Sequence, residues 1–373
     1  MTRDAARALD QALLARAARL ALRGHGGAEP NPMVGCVLVK DGRVVAEGFH
    51  RRCGEAHAEA MALARAGDAA RGTTAYVTLE PCNHHGRTPP CSQALLRAGV
   101  AEVVYAQRDP NPIAIGGAET LRAAGIPTRE VASPVCAVLN APFLHRIATG
   151  LPWVTAKWAQ TIDGAIATRG GDSKWISCER SRRMVHRERG RVDVVMTGLG
   201  TANADDPQLT ARGVRLRRRA LRILVDPSLE APRSLHLLDP SQAPTLVACL
   251  PDLLHGGPAN GLRERGVDVA PLGPRGELRP LLAALVRERA VANVLVEAGG
   301  GLVGYLLRED LVHEAWVFLA PRTVGDVEAR RPIRGDAPEL LRDARRWRLL
   351  SSRVRDGDVV LRYRSIAGES RSG

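Results

Sequence analysis

Aromatic residues make up only 3% of this 373-residue sequence, and lysine appears only as Lys40, Lys157 and Lys174. So few rings argue against a surface that stacks single-stranded bases, and they leave leucine, valine and alanine to fill the cores. No uninterrupted apolar run approaches the ~20 residues of a membrane-spanning helix, so no membrane partner is expected. Met1-Thr2-Arg3-Asp4 carries an acid early and leads into an arginine-punctuated helix, which is not the pattern of an export signal. The seven cysteines are an odd number scattered along the chain. They read as cytoplasmic thiols and metal ligands, not as a disulfide framework. There is no internal repeat and no low-complexity segment.

Arginine is abundant, giving a formal charge of +13. A general drift toward arginine and alanine explains this more simply than a nucleic-acid face, and no nucleic-acid partner is expected. The guanidinium fork also suits phosphorylated small molecules. The length predicts two domains.

The most specific stretch runs from Gly54 to Cys91. It opens Gly54-Glu55-Ala56-His57-Ala58-Glu59 and closes with Glu80-Pro81-Cys82, an eight-residue gap, and Cys91. One imidazole and two thiolates can hold zinc and leave a fourth position for water. Glu59, two residues past His57, is the natural proton carrier. The pattern matches the H-x-E…P-C-x-x-C signature of zinc deaminases, except that the cysteines lie further apart. A structural site with His84 or His85 as fourth ligand is the alternative.

The order of elements implies alternating strands and helices, an α/β layered arrangement. Helix 4–23 precedes the Pro30-Asn31-Pro32 loop. Strands 34–39 and 43–49 flank the Asp41-Gly42 turn and end at His50. A helix follows His57, a strand delivers Glu80, and Cys91 opens another helix. A strand at 101–106 ends near Asp109-Pro110-Asn111-Pro112, and a helix at 135–148 leads to the boundary at Gly150-Leu151-Pro152. The domains are therefore 1–150 and 151–373. In the second, a strand from Trp153, a helix 179–189 and a strand 192–197 precede Gly198-Leu199-Gly200-Thr201 and Ala204-Asp205-Asp206-Pro207. The strand Asn293–Glu297 runs through Gly299-Gly300-Gly301 into a helix, where bare amides can cradle phosphate. A hairpin closes around Asp356-Gly357, and residues 366–373 read as disordered.

These motifs make the sequence similar to the bifunctional riboflavin-biosynthesis family. In it a diaminohydroxyphosphoribosylaminopyrimidine deaminase is joined to a 5-amino-6-(5-phosphoribosylamino)uracil reductase. The resemblance spans about residues 6–364. It implies a cytidine-deaminase-like, three-layer αβα domain followed by a dihydrofolate-reductase-like α/β domain, using Zn²⁺ and NADPH. It implies metal ligands His57, Cys82 and Cys91, with Glu59 catalytic. By residue match, Asn31, His50, Asp109 and Asn111 would meet the pyrimidine. Lys157, Ser173, Arg189, Asp206, Leu209, Arg212 and Glu297 would meet the sugar phosphate. Ala159, Trp175, Thr201, Asp205 and Gly299, Gly300 and Gly301 would meet NADPH. The expected substrate is a phosphorylated pyrimidine, and a homo-oligomer, dimer or tetramer, is expected. The rival reading is a zinc deaminase acting on a nucleic-acid base, with a basic C-terminal binding module.

Overall fold

The computed structural model describes residues 2–84, 89–335 and 338–366. The chain forms two compact units that meet at Gly150/Leu151. In the first, β1 (Gly35–Lys40), β2 (Arg43–Phe49), β3 (Thr74–Val77), β4 (Glu102–Tyr105) and β5 (Thr128–Glu130) form one sheet, in the order β2-β1-β3-β4-β5. β1 is antiparallel to both β2 and β3, and β3, β4 and β5 are parallel.

Alternation along β1 sorts its side chains to two faces. Val37 and Val39 join Leu13, Leu14 and Ala17 of α1 (Arg3–Ala21) and Cys136 and Leu139 of α5 (Pro134–Thr149). Cys36 and Leu38 join Ala58 and Ala62 of α2 (Ala58–Ala66), Leu95 of α3 (Cys91–Ala98) and Leu121 of α4 (Gly117–Ala123). The unit is thus a three-layer αβα sandwich, as the resemblance implies. Gly48 of β2 lets α2 approach closely, because a Cβ there would lie 2.1 Å from the Ala58 carbonyl oxygen. That contact seats the head of α2, and with it His57, against the sheet.

The described residues of the second unit form nine strands: β6 (Trp153–Gln160), β7 (Val194–Gly198), β8 (Leu221–Val225), β9 (Thr245–Cys249), β10 (Asp268–Pro271), β11 (Asn293–Glu297), β12 (Glu314–Leu319), β13 (Trp347–Arg355) and β14 (Asp358–Ser365). Their order is β10-β9-β8-β7-β11-β6-β12-β14-β13, parallel as far as β12 and antiparallel beyond it. On one face pack α6 (Glu179–Arg189), α7 (Leu199–Asp205) and α8 (Gly257–Glu264); on the other pack α9 (Arg279–Arg289) and α10 (Gly300–Arg308). Parallel strands covered on both faces leave their carboxyl ends as the place for a ligand.

Two differences from the sequence expectations stand out. Residues 227–292, where no element is expected, hold β9, α8, β10 and α9. Residues 199–205, to which the sequence reading assigns no element, form the short helix α7. The disorder expected at 366–373 falls, apart from Ile366, outside the described residues.

Candidate active sites

In the first unit the chemistry gathers where α2, α3 and the end of β3 converge. His57 is the residue that caps α2, with extended backbone, so its ring stands outside the helix while Glu59 lies in the first turn. Cys91 is the first residue of α3. His57 Nδ1 lies 3.5 Å from Cys82 Sγ and 3.3 Å from Cys91 Sγ. Tetrahedral zinc, with Zn–N near 2.05 Å and Zn–S near 2.3 Å, requires N···S edges of about 3.5 Å. The donor set therefore fits zinc in size as well as in chemistry. Among the described residues these three are the group whose ligand atoms lie within 4.8 Å of one another. His84 is not part of it, and His85 lies outside the described residues.

Electrostatics distinguish the donors. A hydrogen bond from Cys91 and the neighbouring His57 hold the Cys82 thiol down at about 4, against the opposing effect of burial. Cys91, as the donor in that pair, is pushed up. Glu59 is 3% exposed. Burial raises its pKa to about 7, and the Cys82 charge adds to the rise.

His50 follows β2, and its ring meets His57 edge-on with centroids 5.2 Å apart. It is buried, with pKa lowered by that burial, and its Nε2 lies 3.5 Å from Asn31 Nδ2. Asn31 and His50 are thus brought together beside the metal-ligand set. Asp109 is buried and raised by burial, with Glu80 and Cys82 adding to it. The Asp109 carboxylate accepts from the Asn111 amide at 2.9 Å, and Asn111 Oδ1 in turn accepts from the Ile113 amide at 3.3 Å. Glu80 accepts from the amides of Asp109 and Ala118. Its carboxylate is thereby committed to bracing the loops here.

In the second unit a cleft of about 1430 Å³ opens at the carboxyl ends of the strands. Every second-unit residue expected at the substrate or cofactor lines it. At its floor Glu297, at the end of β11, receives both arms of Arg189, at 2.5 and 3.0 Å, and lies 3.7 Å from Lys157 Nζ. Burial acts to raise Glu297, but Arg189 and then Lys157 outweigh it and hold the carboxylate at about 2. Burial lowers the Lys157 pKa, while Glu297 opposes the fall. The Arg189 fork is thus committed to Glu297, which leaves Arg212 with the more open guanidinium of the two expected at the phosphate. Ser173 Oγ donates to Asp205 Oδ1 at 3.2 Å, and exposed Trp175 stacks under the Arg182 guanidinium at 4.6 Å.

The glycines divide by task. The Gly299 amide donates to Thr201 Oγ1 at 2.8 Å, tying α10 to α7. A Cβ on Gly300 would meet the Arg331 carbonyl oxygen at 2.5 Å, so that glycine is required by packing. A Cβ on Gly301 would meet nothing within 4 Å. The first turn of α10 therefore faces open cleft, a place that fits a cofactor phosphate.

Residues 152–361 match the RibD C-terminal domain, and residues 7–107 match the cytidine and deoxycytidylate deaminase zinc-binding region. The riboflavin biosynthesis protein RibD of Aquifex aeolicus is 41% identical over 86% of this chain and 89% of its own. The Escherichia coli RibD is 38% identical over 94% and 98%. The chain belongs to the RibD family. The solved Acinetobacter baumannii RibD superposes with a TM-score of 0.82 at 36% identity, covering 96% of this chain and 99% of that one. A Thermotoga maritima deaminase/reductase gives 0.82 at 31% identity, with the same coverage.

As a member of this family, the chain is a bifunctional riboflavin-biosynthesis enzyme that uses Zn²⁺ for deamination and NADPH for reduction, acting on a small molecule. No helix among the described residues is long and apolar enough to cross a membrane. Sequence reasoning missed several cleft-lining residues: Arg182, His186, His236, Arg330 and Arg334. Arg182 and His186 lie within α6 and the other three on connecting segments, so no spacing marks them, and charged residues are ordinary in so arginine-rich a chain.

Proposed function

We propose that residues 1–150 carry the deamination and residues 151–373 the reduction, each with its own buried glutamate. His57, Cys82 and Cys91 would hold zinc, which when bound supplies Lewis acidity that makes a water a nucleophile near neutral pH. Glu59 takes that water's proton and returns protons to the ring nitrogen and the departing ammonia. Asn31, His50, Asp109 and Asn111 orient the pyrimidine, the amine of which becomes a carbonyl.

In the second unit NADPH, when bound, is the reductant for the ring-opened sugar. Gly301 and the first turn of α10 receive a cofactor phosphate, with Gly299 and Gly300 shaping that turn. Ala159, Trp175, Thr201 and Asp205 complete the cofactor side. Lys157, Ser173, Arg189, Asp206, Leu209, Arg212 and Glu297 form the sugar-phosphate side, where Arg212 meets the phosphate. The seven cysteines are all unpaired, which supports a cytoplasmic enzyme. A homo-oligomer without a nucleic-acid partner completes the reading. Within the Arg215–Arg219 run, Arg218 is already paired with Asp193, which supports this last point.

The observation that carries the deaminase half is the His57–Cys82–Cys91 triangle with Glu59 buried two residues on. The test combines metal analysis with absorbance at 340 nm on the purified chain. About one zinc per chain, ammonia release from the diaminopyrimidine and NADPH consumption with the deaminated product are expected. A chain that binds zinc but leaves NADPH untouched would refute the reductase half.

A further inference from the structure

The second unit commits costly polar side chains to the backbone of one loop, residues 206–212. Asp206 and Leu209 both take the left-handed conformation, with φ of 42° and 51°, which non-glycine residues adopt only when held. Three sets of contacts hold this loop from outside.

Arg222 stands mid-strand in β8 at 0% exposure, between the apolar Leu221 and Ile223. Among the described residues no carboxylate lies within ion-pair distance of it. Its Nη1 donates to the Gln208 carbonyl at 3.1 Å. Its Nη2 donates to the carbonyls of Asp239 and Ala243, at 2.6 and 2.8 Å, and to Thr245 Oγ1 at 2.5 Å. Its Nε has no acceptor. A buried guanidinium with no ion pair and only the longer-range attraction of Asp239 is expensive, and an aliphatic side chain would suit β8 better if packing alone mattered. What the guanidinium adds is a joint between the 206–212 loop and the 239–245 segment.

At the head of the loop, the Asp206 carboxylate accepts from the His236 amide at 2.8 Å and lies 2.5 Å from His236 Nδ1. Toward its end, the Thr210 carbonyl accepts from Arg189 Nη1 at 3.2 Å, and the Arg212 amide donates to His186 Nδ1 at 3.2 Å. The last two holds come from the cleft's own floor and helix α6. Arg222 and His236 come from outside that set.

We propose that Arg222 and His236 are positioning residues of the reductase, which hold the backbone of loop 206–212 so that Asp206, Leu209 and Arg212 face the sugar phosphate. This rests on the reading that those three residues meet the substrate. Neither positioning residue takes part in hydride or proton transfer; each acts through the loop.

The experiment compares Arg222→Met, Arg222→Lys, His236→Ala and Arg212→Met in the full chain. It reads KM and kcat for the deaminated sugar-phosphate substrate, KM for NADPH, and ammonia release as the internal control. Arg212→Met calibrates the subsite. Arg222→Met should raise KM for the substrate about tenfold and His236→Ala about threefold, with KM for NADPH within about twofold and ammonia release unchanged. Arg222→Lys should restore part of the loss, since an ammonium reaches some of the same carbonyls. If Arg212→Met raises the substrate KM while neither Arg222→Met nor His236→Ala does, the positioning role is overturned and the subsite stands. If Arg212→Met itself changes nothing, the substrate reading falls and takes the proposal with it. Equal rises in both KM values for Arg222→Met mark a merely structural arginine and also overturn it. Should Arg222→Met fail to fold, His236→Ala decides, because that side chain is 64% exposed and its removal leaves the core intact.

Discussion

Glu59 and Glu297 are both removed from bulk water, one at the head of a helix and the other at the end of a strand, yet they are held in opposite states. Burial pushes Glu59 up to about 7, with a neighbouring thiolate adding to the rise. Burial acts on Glu297 in the same direction, but Arg189 and Lys157 reverse it and leave about 2. The same desolvation therefore gives a proton carrier in one unit and a fixed anion in the other, and the neighbours decide which. A bound zinc ion would add positive charge beside Glu59 and work against burial there. Glu297 has its cations built into the chain.

The strongest way to break this comparison is to remove the metal from one side. Cys82→Ser or Cys91→Ser should take zinc from about one per chain to almost none and abolish ammonia release, while NADPH oxidation persists. Wild-type zinc content in both variants would remove them as ligands.

The next largest effect is expected at the fixed anion. Glu297→Gln leaves Arg189 and Lys157 without their counter-charge, and breaking such a buried pair costs about 3–5 kcal/mol. The lower end is expected, since the Lys157 side chain keeps 17% exposure. The unfolding midpoint of the second unit should drop accordingly and NADPH oxidation should cease. An unchanged midpoint would mean the three charges are independent.

On the other side, Glu59→Gln keeps size and hydrogen bonding but removes the proton acceptor. Zinc should remain while ammonia release falls by at least about a hundredfold. Near-normal release would relocate the proton carrier.

The smallest effect is a pH window. A carboxylate depressed to about 2 stabilises the fold fully above its unfolded pKa of about 4.3, and that contribution disappears as pH falls through about 2. The stability gap between wild type and Glu297→Gln should therefore narrow steadily between those pH values. A constant gap would show that the charge of Glu297 is not what stabilises it.

How much of this was legible beforehand follows from how each site is assembled. The zinc ligands sit in two short motifs, and the helix starts at Ala58 and Cys91 follow from local pattern, so the triangle could be read from spacing. The second cleft draws on residues from Lys157 to Arg334, carried on β6, α6, α7, β11 and α10 and on loops. No spacing links them: the pattern marked only the end of β11 at Glu297 and the Gly299–Gly301 cradle, and the family resemblance named the rest. β9 is a five-residue buried strand and α8 opens with Gly257-Pro258, so neither shows a clear period. Gly300 looks like a phosphate glycine, but the Arg331 carbonyl is what demands it. Arg222 left a trace that pattern alone does not interpret, one charge inside the run Leu221–Val225.

The central claim is that one chain carries two complete chemistries. All residues assigned to deamination precede Gly150, and all assigned to reduction follow Leu151. The most direct measurement mixes two defective proteins, Glu59→Gln and Gly301→Val. The valine extends into open cleft without striking the fold, since a Cβ at Gly301 meets nothing within 4 Å. Glu59→Gln alone should oxidise NADPH with the deaminated substrate, and Gly301→Val alone should release ammonia. Together they should form the ribitylaminopyrimidine that neither forms alone. Loss of both activities in each variant, with circular dichroism still native, would contradict the account.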